Sequence, residues 1–366
     1  MQDNFDFVCP TKIYFRENGV GEIGKIIHDD YRFKKVFLIY GGSSLKKTGA
    51  YDKIVQSLKE NQIEFREYGG IKKNPDIEDV KAIIALARPF APDLILAAGG
   101  GSVLDTAKSV CHGYFYDGDP LDFNKHLVTP LHALPLATII TISASGSERS
   151  DSCVISDRRH HFKGGFNSVT NYPLFSLEDP SLTFTVPPYQ LGCGLADRFS
   201  HSLERYFSPS HDYEPCDGLP LSIRKSIVRI TPAVLKRKDD REARRARRIC
   251  GSLSHDGFTN YGKQKLFIVH KAEHVLSGRY PELVHGQGIA LLRPDYPKRN
   301  KAKFSSKLVS RGKEVFGLSD GSKDDDAIEA REKWLSMLPI AHHFPELSFA
   351  VKEEDLAKAE KRLIAR

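Results

Sequence analysis

The sequence predicts an α/β half built on a parallel sheet, followed by an all-α half. Three observations carry this. Strand-like and helix-like segments alternate through the first half. A proline-bearing stretch, "LEDPSLTFTVPPYQ" (177–190), then breaks the pattern, and beyond it only helical periodicity remains. The chain has 366 residues, and at roughly 150 residues per domain this favours two domains. We place them at 1–187 and 188–366.

The elements follow in order. "KVFLIYGG" (35–42) is a short apolar run ending in glycines, a buried strand and a tight turn. "AYDKIVQSLKENQIEF" and "DIEDVKAIIALARPF" have apolar residues at helical spacing. "DLILAAGGGSVLDTAKSV" gives strand, glycine turn and helix in succession, and "ATIITISASGSE" (137–148) is β-rich. Such alternation argues for a parallel sheet covered on both faces. The second half predicts helices over 190–207, 213–236, 239–256, 263–278, 299–316 and 325–336.

Composition excludes some classes. No run of about 18 apolar residues exists, so no membrane span is expected. The N-terminus has acidic residues where a secretory leader has basic and apolar ones, which makes the cytoplasm the expected location. Six cysteines form no close pair and read as free, buried thiols. The net charge is +7, and "KRKDDREARRARR" (236–248) supplies eight basic against three acidic residues, or +5 of it. No aromatic residue interleaves with the arginines, so a solvated helix face is expected rather than a nucleic-acid site.

Two glycine turns are candidate phosphate cradles. In "GGGSVLDTAK" the helix start offers unpaired N–H groups and the positive end of its dipole. It is not GxGxxG, and simple turn geometry remains the competing reading. In "LIYGGSSLKK" no acidic residue is present to grip a ribose 2′-hydroxyl. Small hydroxyl residues and lysines leave room for a 2′-phosphate, which favours NADP(H) over NAD(H) if a nicotinamide cofactor binds.

"GLADRFSHSLERYF" (194–207) places Asp197 and His201 at i and i+4 on one helix face. "IVHKAEHVLSGRYPELVHGQGIA" repeats that spacing with His270 and His274, and His285 follows at the next helix start. One carboxylate and three imidazoles, Asp197, His201, His270 and His285, suit Fe²⁺, Zn²⁺, Co²⁺ or Mn²⁺. Spacing alone leaves open that they are ordinary core or surface residues.

Together with "NFDFVCPTKIYF", "ASGSE", "FKGGFNS" and "DPSLTFTVPPYQ", these motifs stand in an order that resembles the iron-containing alcohol dehydrogenases. The likeness is to the butanol dehydrogenase-like, NADP(H)-using aldehyde reductase branch, from about residue 5 onward. It implies a Rossmann-like N-terminal domain and an all-α C-terminal domain in a dehydroquinate synthase-like architecture, with cofactor and metal in the cleft between. It implies Asp197, His201, His270 and His285 as ligands of one divalent metal, Fe²⁺ or Zn²⁺. Gly99, Gly100, Gly101 and Ser102 would hold the cofactor pyrophosphate, with Asp105 in the same motif. Gly41, Gly42, Ser43 and Ser44 would take the adenosine-ribose phosphate. Thr141 and Ser145 would line the cofactor, Lys163 would reach the nicotinamide ribose, and His274 would face the substrate and relay a proton. The substrate would be a small alcohol or aldehyde, and the assembly a homodimer or larger.

The chain departs from the family pattern in one extra residue between His270 and His285, in Arg149 and Arg198 at usually apolar positions, in the arginine-rich helix, and in an earlier C-terminal end. A buried arginine is costly, so Arg149 and Arg198 are each expected to be exposed or paired with a carboxylate. Two other readings compete: a glycerol dehydrogenase-like or dehydroquinate synthase-like enzyme, and a catalytically impaired relative serving as a binding or structural subunit.

Overall fold

The computed structural model describes residues 4, 6–142, 144–208, 214–237, 240–292 and 295–363. Residues 213 and 239, with which two of the expected helices begin, lie outside these. The chain divides into two compact units: Val8–Ser143 with Ser147–Val186, and Pro187–Arg366 with 1–7 and 144–146.

The first unit is a six-stranded sheet. Its strands are β1 (Lys12–Phe15), β2 (Lys35–Gly41), β3 (Glu64–Ile71), β4 (Leu94–Gly99), β5 (Leu136–Ile140) and β8 (Phe175–Glu178). The order is β1-β8-β5-β4-β2-β3 and every pairing is parallel. A separate antiparallel ribbon joins β6 (Ser152–Asp157) to β7 (Phe162–Asn167). The strands alternate between two cores. Val36, Leu38, Tyr40, Leu94, Leu96 and Ala98 pack on one side with Ile54 and Leu58. Phe37, Ile39, Ile95 and Ala97 pack on the other with Val80, Ile83, Leu104 and Ala107. Both faces are buried, as a parallel sheet requires.

The strand order reverses between β2 and β4. After β2 the chain adds β3 on one side, then returns to place β4 on the other. The carboxyl ends of the strands flanking such a reversal leave a crevice for ligands. β2 ends at Gly41 and β4 at Gly99. The β-rich run 137–148 is strand only to Ile140. Thr141 N–H still reaches the Gly99 carbonyl (3.0 Å), after which the small residues turn, Gly146 at φ +67°.

In the second unit the Pro188–Phe207 helix is buried from Leu191 to Phe207. A helix covered on all sides is a core element. It packs against the Glu214–Lys236 and His285–Leu292 helices, and Phe199 stacks on Trp334 at 4.5 Å. The helix expected over 263–278 begins only at Ile268, because Phe267 takes a left-handed conformation (φ +45°) and ends the preceding loop.

The solvated-face reading of the arginine-rich helix is corrected. In Arg241–Ser254, Arg244, Arg247 and Arg248 are fully buried, while Ile249 is 46% exposed. Positions 244, 247, 248 and 251 fall on one stripe at i, i+3, i+4 and i+7. From that stripe Arg244 Nη2 reaches the Val234 carbonyl (3.5 Å), and the helix packs against the 188–207 and 214–236 helices. Arg198 is also buried, not exposed, and donates from Nη1 to the Arg247 carbonyl (3.1 Å). Arg149 donates to Cys9 Sγ (3.2 Å). Arg224 lies over the Tyr206 ring at 4.4 Å, which recovers part of its lost hydration. Five cysteines are buried, Cys9 is half-buried, and none of the six is in a disulfide. Among the described residues no helix is long and apolar enough to cross a membrane.

Lys108 is the buried tether of the first unit. Its ammonium donates to the Ser147 carbonyl (2.8 Å) and hydroxyl (2.9 Å) and to the carbonyls of Ser150 (3.0 Å) and Ser152 (2.8 Å). Replacing Lys108 by Met leaves these acceptors without that donor, and urea unfolding is expected to show a loss of about 3 kcal/mol at unchanged slope. A loss below about 1 kcal/mol, the worth of one ordinary hydrogen bond, contradicts the tether.

Candidate functional site

In the sheet unit, Gly41, Gly99 and Thr141 stand at the carboxyl ends of three neighbouring strands, β2, β4 and β5. Gly99 has no room for a side chain, since a Cβ there would lie 2.4 Å from Val103 Cγ2. Gly100 caps the Gly101–Gly113 helix with extended backbone, and no side chain caps that N-terminus. The helix start, with Ser102 in its first turn, therefore keeps donors for an anion. Gly42 borders open space. Ser43 and Ser44 begin the short Ser44–Lys47 helix. Lys46 is held over the rings of Tyr51 (4.7 Å) and Tyr40 (5.4 Å).

Two expected cofactor residues have partners within this unit. Asp105 accepts from Ser147 Oγ (2.8 Å) and Val154 N–H (3.3 Å), and burial raises its pKa against the opposing pull of Lys108. Lys163, on β7, donates to Asn74 Oδ1 (3.0 Å). Ser145 belongs to the 144–146 segment grouped with the helical unit.

In the helical unit the 188–207 helix presents Asp197 and His201 one turn apart. Asp197 Oδ1 lies 3.6 Å from His201 Nδ1, 3.4 Å from His270 Nε2 and 3.7 Å from His285 Nε2. Two atoms each about 2.1 Å from one tetrahedral ion would stand about 3.4 Å apart. Asp197, His201 and His270 form a set with all ligand atoms within 4.8 Å of one another, and all three residues are buried. Asp197 Oδ1, His201 Nδ1 and His270 Nε2 have no hydrogen-bond partner among the described residues. Buried polar atoms are normally satisfied, so three orphans facing one point fit a divalent cation. His285 approaches Asp197 but lies outside that mutual set. It groups instead with Glu273 and His274, and the half-buried His274 ring is 5.6 Å from its own.

Close helix packing puts His285 there. A Cβ on Gly286 would lie 2.2 Å from the Cys193 carbonyl oxygen, so only glycine lets the His285–Leu292 helix approach the 188–207 helix this closely. The loop between Arg279 and His285 is closed by Leu283 N–H to the Tyr280 carbonyl (2.9 Å).

The charges are strongly coupled. Burial alone would raise the Asp197 carboxyl, but the surrounding imidazoles hold it well below the usual carboxylate range. Burial keeps His201 well below 6.5 and hence neutral, a state able to coordinate. Burial also opposes charge on His270, yet Glu204 and Asp197 carry it up to about 9.

Two carboxylates, Glu204 and Glu273, escaped the reading of the sequence. Glu204 contacts His270 Nδ1 and Glu273 contacts His285 Nδ1. Glu204 had a legible signal: with Asp197 and His201 it completes i, i+4, i+7 on one face.

One unit thus carries a glycine-lined sheet reversal and the other an oxygen–nitrogen donor cluster. Comparison with known proteins gives the family. Residues 10–180 match the model for iron-containing alcohol dehydrogenase, and 193–364 that for the Fe-containing alcohol dehydrogenase family, C-terminal. NADH-dependent butanol dehydrogenase A of Clostridium acetobutylicum is 35% identical over 96% of this chain and 91% of its own. NADPH-dependent aldehyde reductase YqhD of Escherichia coli is 29% identical over 93% and 88%. The crystal structure of NADH-dependent butanol dehydrogenase A from Thermotoga maritima superposes with a TM-score of 0.92 at 32% identity, over 98% of this chain and 90% of that one. The chain belongs to the iron-containing alcohol dehydrogenase family and is an alcohol/aldehyde oxidoreductase, whose family uses a divalent metal and a nicotinamide cofactor.

Metal-stripped protein is expected to take up one equivalent of Zn²⁺ per chain by calorimetry. His201→Ala is expected to weaken uptake by more than roughly 100-fold, beyond the cost of losing an outer hydrogen-bond partner. Uptake unchanged in His201→Ala rules this cluster out.

Proposed function

We propose that the chain interconverts primary alcohols and aldehydes with NADP(H), and that Asp197, His201, His270 and His285 hold one Fe²⁺ or Zn²⁺. The convergence of three buried, unsatisfied donor atoms on one point carries this reading. When bound, the ion is a Lewis acid toward the alcohol or aldehyde oxygen and lowers the alcohol's pKa.

The chain's own residues bind and orient. The Gly99 turn and the first turn of the 101–113 helix offer backbone N–H groups to a pyrophosphate. Lys108 and Asp105 act indirectly, by fixing Ser147. In this reading His274, half-buried beside His285, passes a proton between substrate and solvent.

The NADP(H) preference rests on the Gly41–Ser44 turn. It carries no carboxylate, and Glu67 on the neighbouring strand is occupied by the hydroxyls of Tyr40 (3.1 Å) and Tyr51 (2.7 Å). Ser43, Ser44 and Lys46 leave donors for a 2′-phosphate. The butanol dehydrogenase relatives are named for NADH and the aldehyde reductase for NADPH, so NADH use is the second reading.

A panel of short aldehydes separates these. Turnover with NADPH is expected at a kcat/KM at least about tenfold above that with NADH, the worth of one charge-assisted contact. Ser43→Asp is expected to reverse the order by repelling the 2′-phosphate. A wild-type preference for NADH contradicts the reading of this turn and leaves the metal reading standing. Metal uptake and cofactor binding without turnover of any aldehyde would favour the impaired-relative reading.

A further inference from the structure

His270 and His285 share an arrangement that His201 lacks. Each directs Nε2 toward Asp197 Oδ1, at 3.4 Å and 3.7 Å, and gives Nδ1 to a buried glutamate, Glu204 for His270 and Glu273 for His285. His201 faces Asp197 with Nδ1 instead. We propose that Glu204 and Glu273 are the positioning residues of the metal centre. Each fixes the tautomer and ring plane that leave Nε2 of its histidine aimed, as a lone pair, at the ion. This rests on the metal reading above.

The donor logic requires it. An ionised carboxylate only accepts hydrogen bonds, so the imidazole nitrogen facing it carries the proton. A coordinating ring gives up its second proton to solvent on binding the ion and keeps one N–H, and holding that one on Nδ1 makes Nε2 the coordinating atom. A carboxylate on the far nitrogen also raises the basicity of the ligand. His270 Nε2 has no other partner among the described residues, so the arrangement leaves it available to a cation.

Both glutamates are held where this geometry needs them. Glu204 is 3% exposed, accepts the Val269 N–H on Oε2 (2.7 Å) and takes the Ser200 hydroxyl on Oε1 (3.3 Å). The 268–279 helix has no side-chain cap of its own at Phe267. Glu204 thus caps from a neighbouring helix the turn that carries His270, fixing backbone and ring together. Glu273 is fully buried one turn after His270 on the same helix. A Cβ on Gly288 would lie 2.8 Å from Glu273 Cγ, so the second glycine of "HGQG" makes room for this side chain. The 188–207 helix thus supplies two of the proposed ligands and the 268–279 helix one, and each adds a carboxylate that orients a ligand on another helix.

The test uses the full chain, stripped of metal, with Co²⁺ as probe, read by its visible absorption and by chelator competition. Glu204→Gln and Glu273→Gln preserve size and remove the obligate acceptor. Each is expected to bind Co²⁺ 10–100-fold more weakly than wild type, with a changed ligand-field band. NADPH affinity, measured by fluorescence, is expected to be unchanged, and Glu273→Asp to recover part of the loss. A glutamate serving only packing would shift the melting temperature without moving the Co²⁺ spectrum. Co²⁺ affinity within threefold of wild type with the same band in both Gln variants overturns the proposal. If Glu204→Gln does not fold, Glu273→Gln decides alone by the same criterion. Wild-type protein that takes up no Co²⁺ overturns the metal reading itself, an outcome distinct from wild-type binding retained by the Gln variants.

Discussion

A single carboxylate oxygen organises the helical unit. Asp197 Oδ1 sits in the buried middle of the 188–207 helix with three imidazole nitrogens from three helices about it. An isolated buried anion is costly and an isolated buried imidazole keeps a stranded polar atom; together they remain short of hydrogen bonds. That deficit is tolerable where a cation completes the set, and it dictates the packing. The helix must be covered on all sides, and Gly286 must allow backbone contact with Cys193.

The sheet unit solves a different problem with different means. The end of the sheet proposed for the cofactor is made of backbone: glycines at the ends of β2 and β4 and a helix start that no side chain caps. Charged groups nearby are spent on internal structure. Lys108 gathers the 147–152 segment, Asp105 answers through Ser147 and Val154, and Glu67 is taken by two tyrosines. Backbone donors with little free side-chain charge suit a pyrophosphate, whose own charge need not compete with fixed acids.

Much of this was legible in the sequence because it is local. Strand–turn–helix succession around Gly41 and Gly99, and the four-residue spacing of Asp197 and His201, need no knowledge of distant contacts. The strands β1, β3 and β8 and the β6–β7 ribbon were not read, since segments without sustained alternation acquire their pairing only from the sheet. The buried arginines were misread because charge composition says nothing of which helical stripe turns inward; Arg244, Arg247 and Arg248 repeat at core spacing, and that periodicity was the better guide. Glu273 was hidden for another reason. Its partner, His285, lies across a loop and on another helix, and no spacing rule joins them.

X-ray absorption at the metal edge of protein purified with its native metal tests the centre most directly. The account predicts an inner coordination sphere of oxygen and nitrogen at about 2.0–2.2 Å, with the outer scattering of imidazole rings and no sulfur. A sulfur shell at about 2.3 Å, which would place one of the buried cysteines on the ion, or an inner sphere without imidazole scattering, would contradict it.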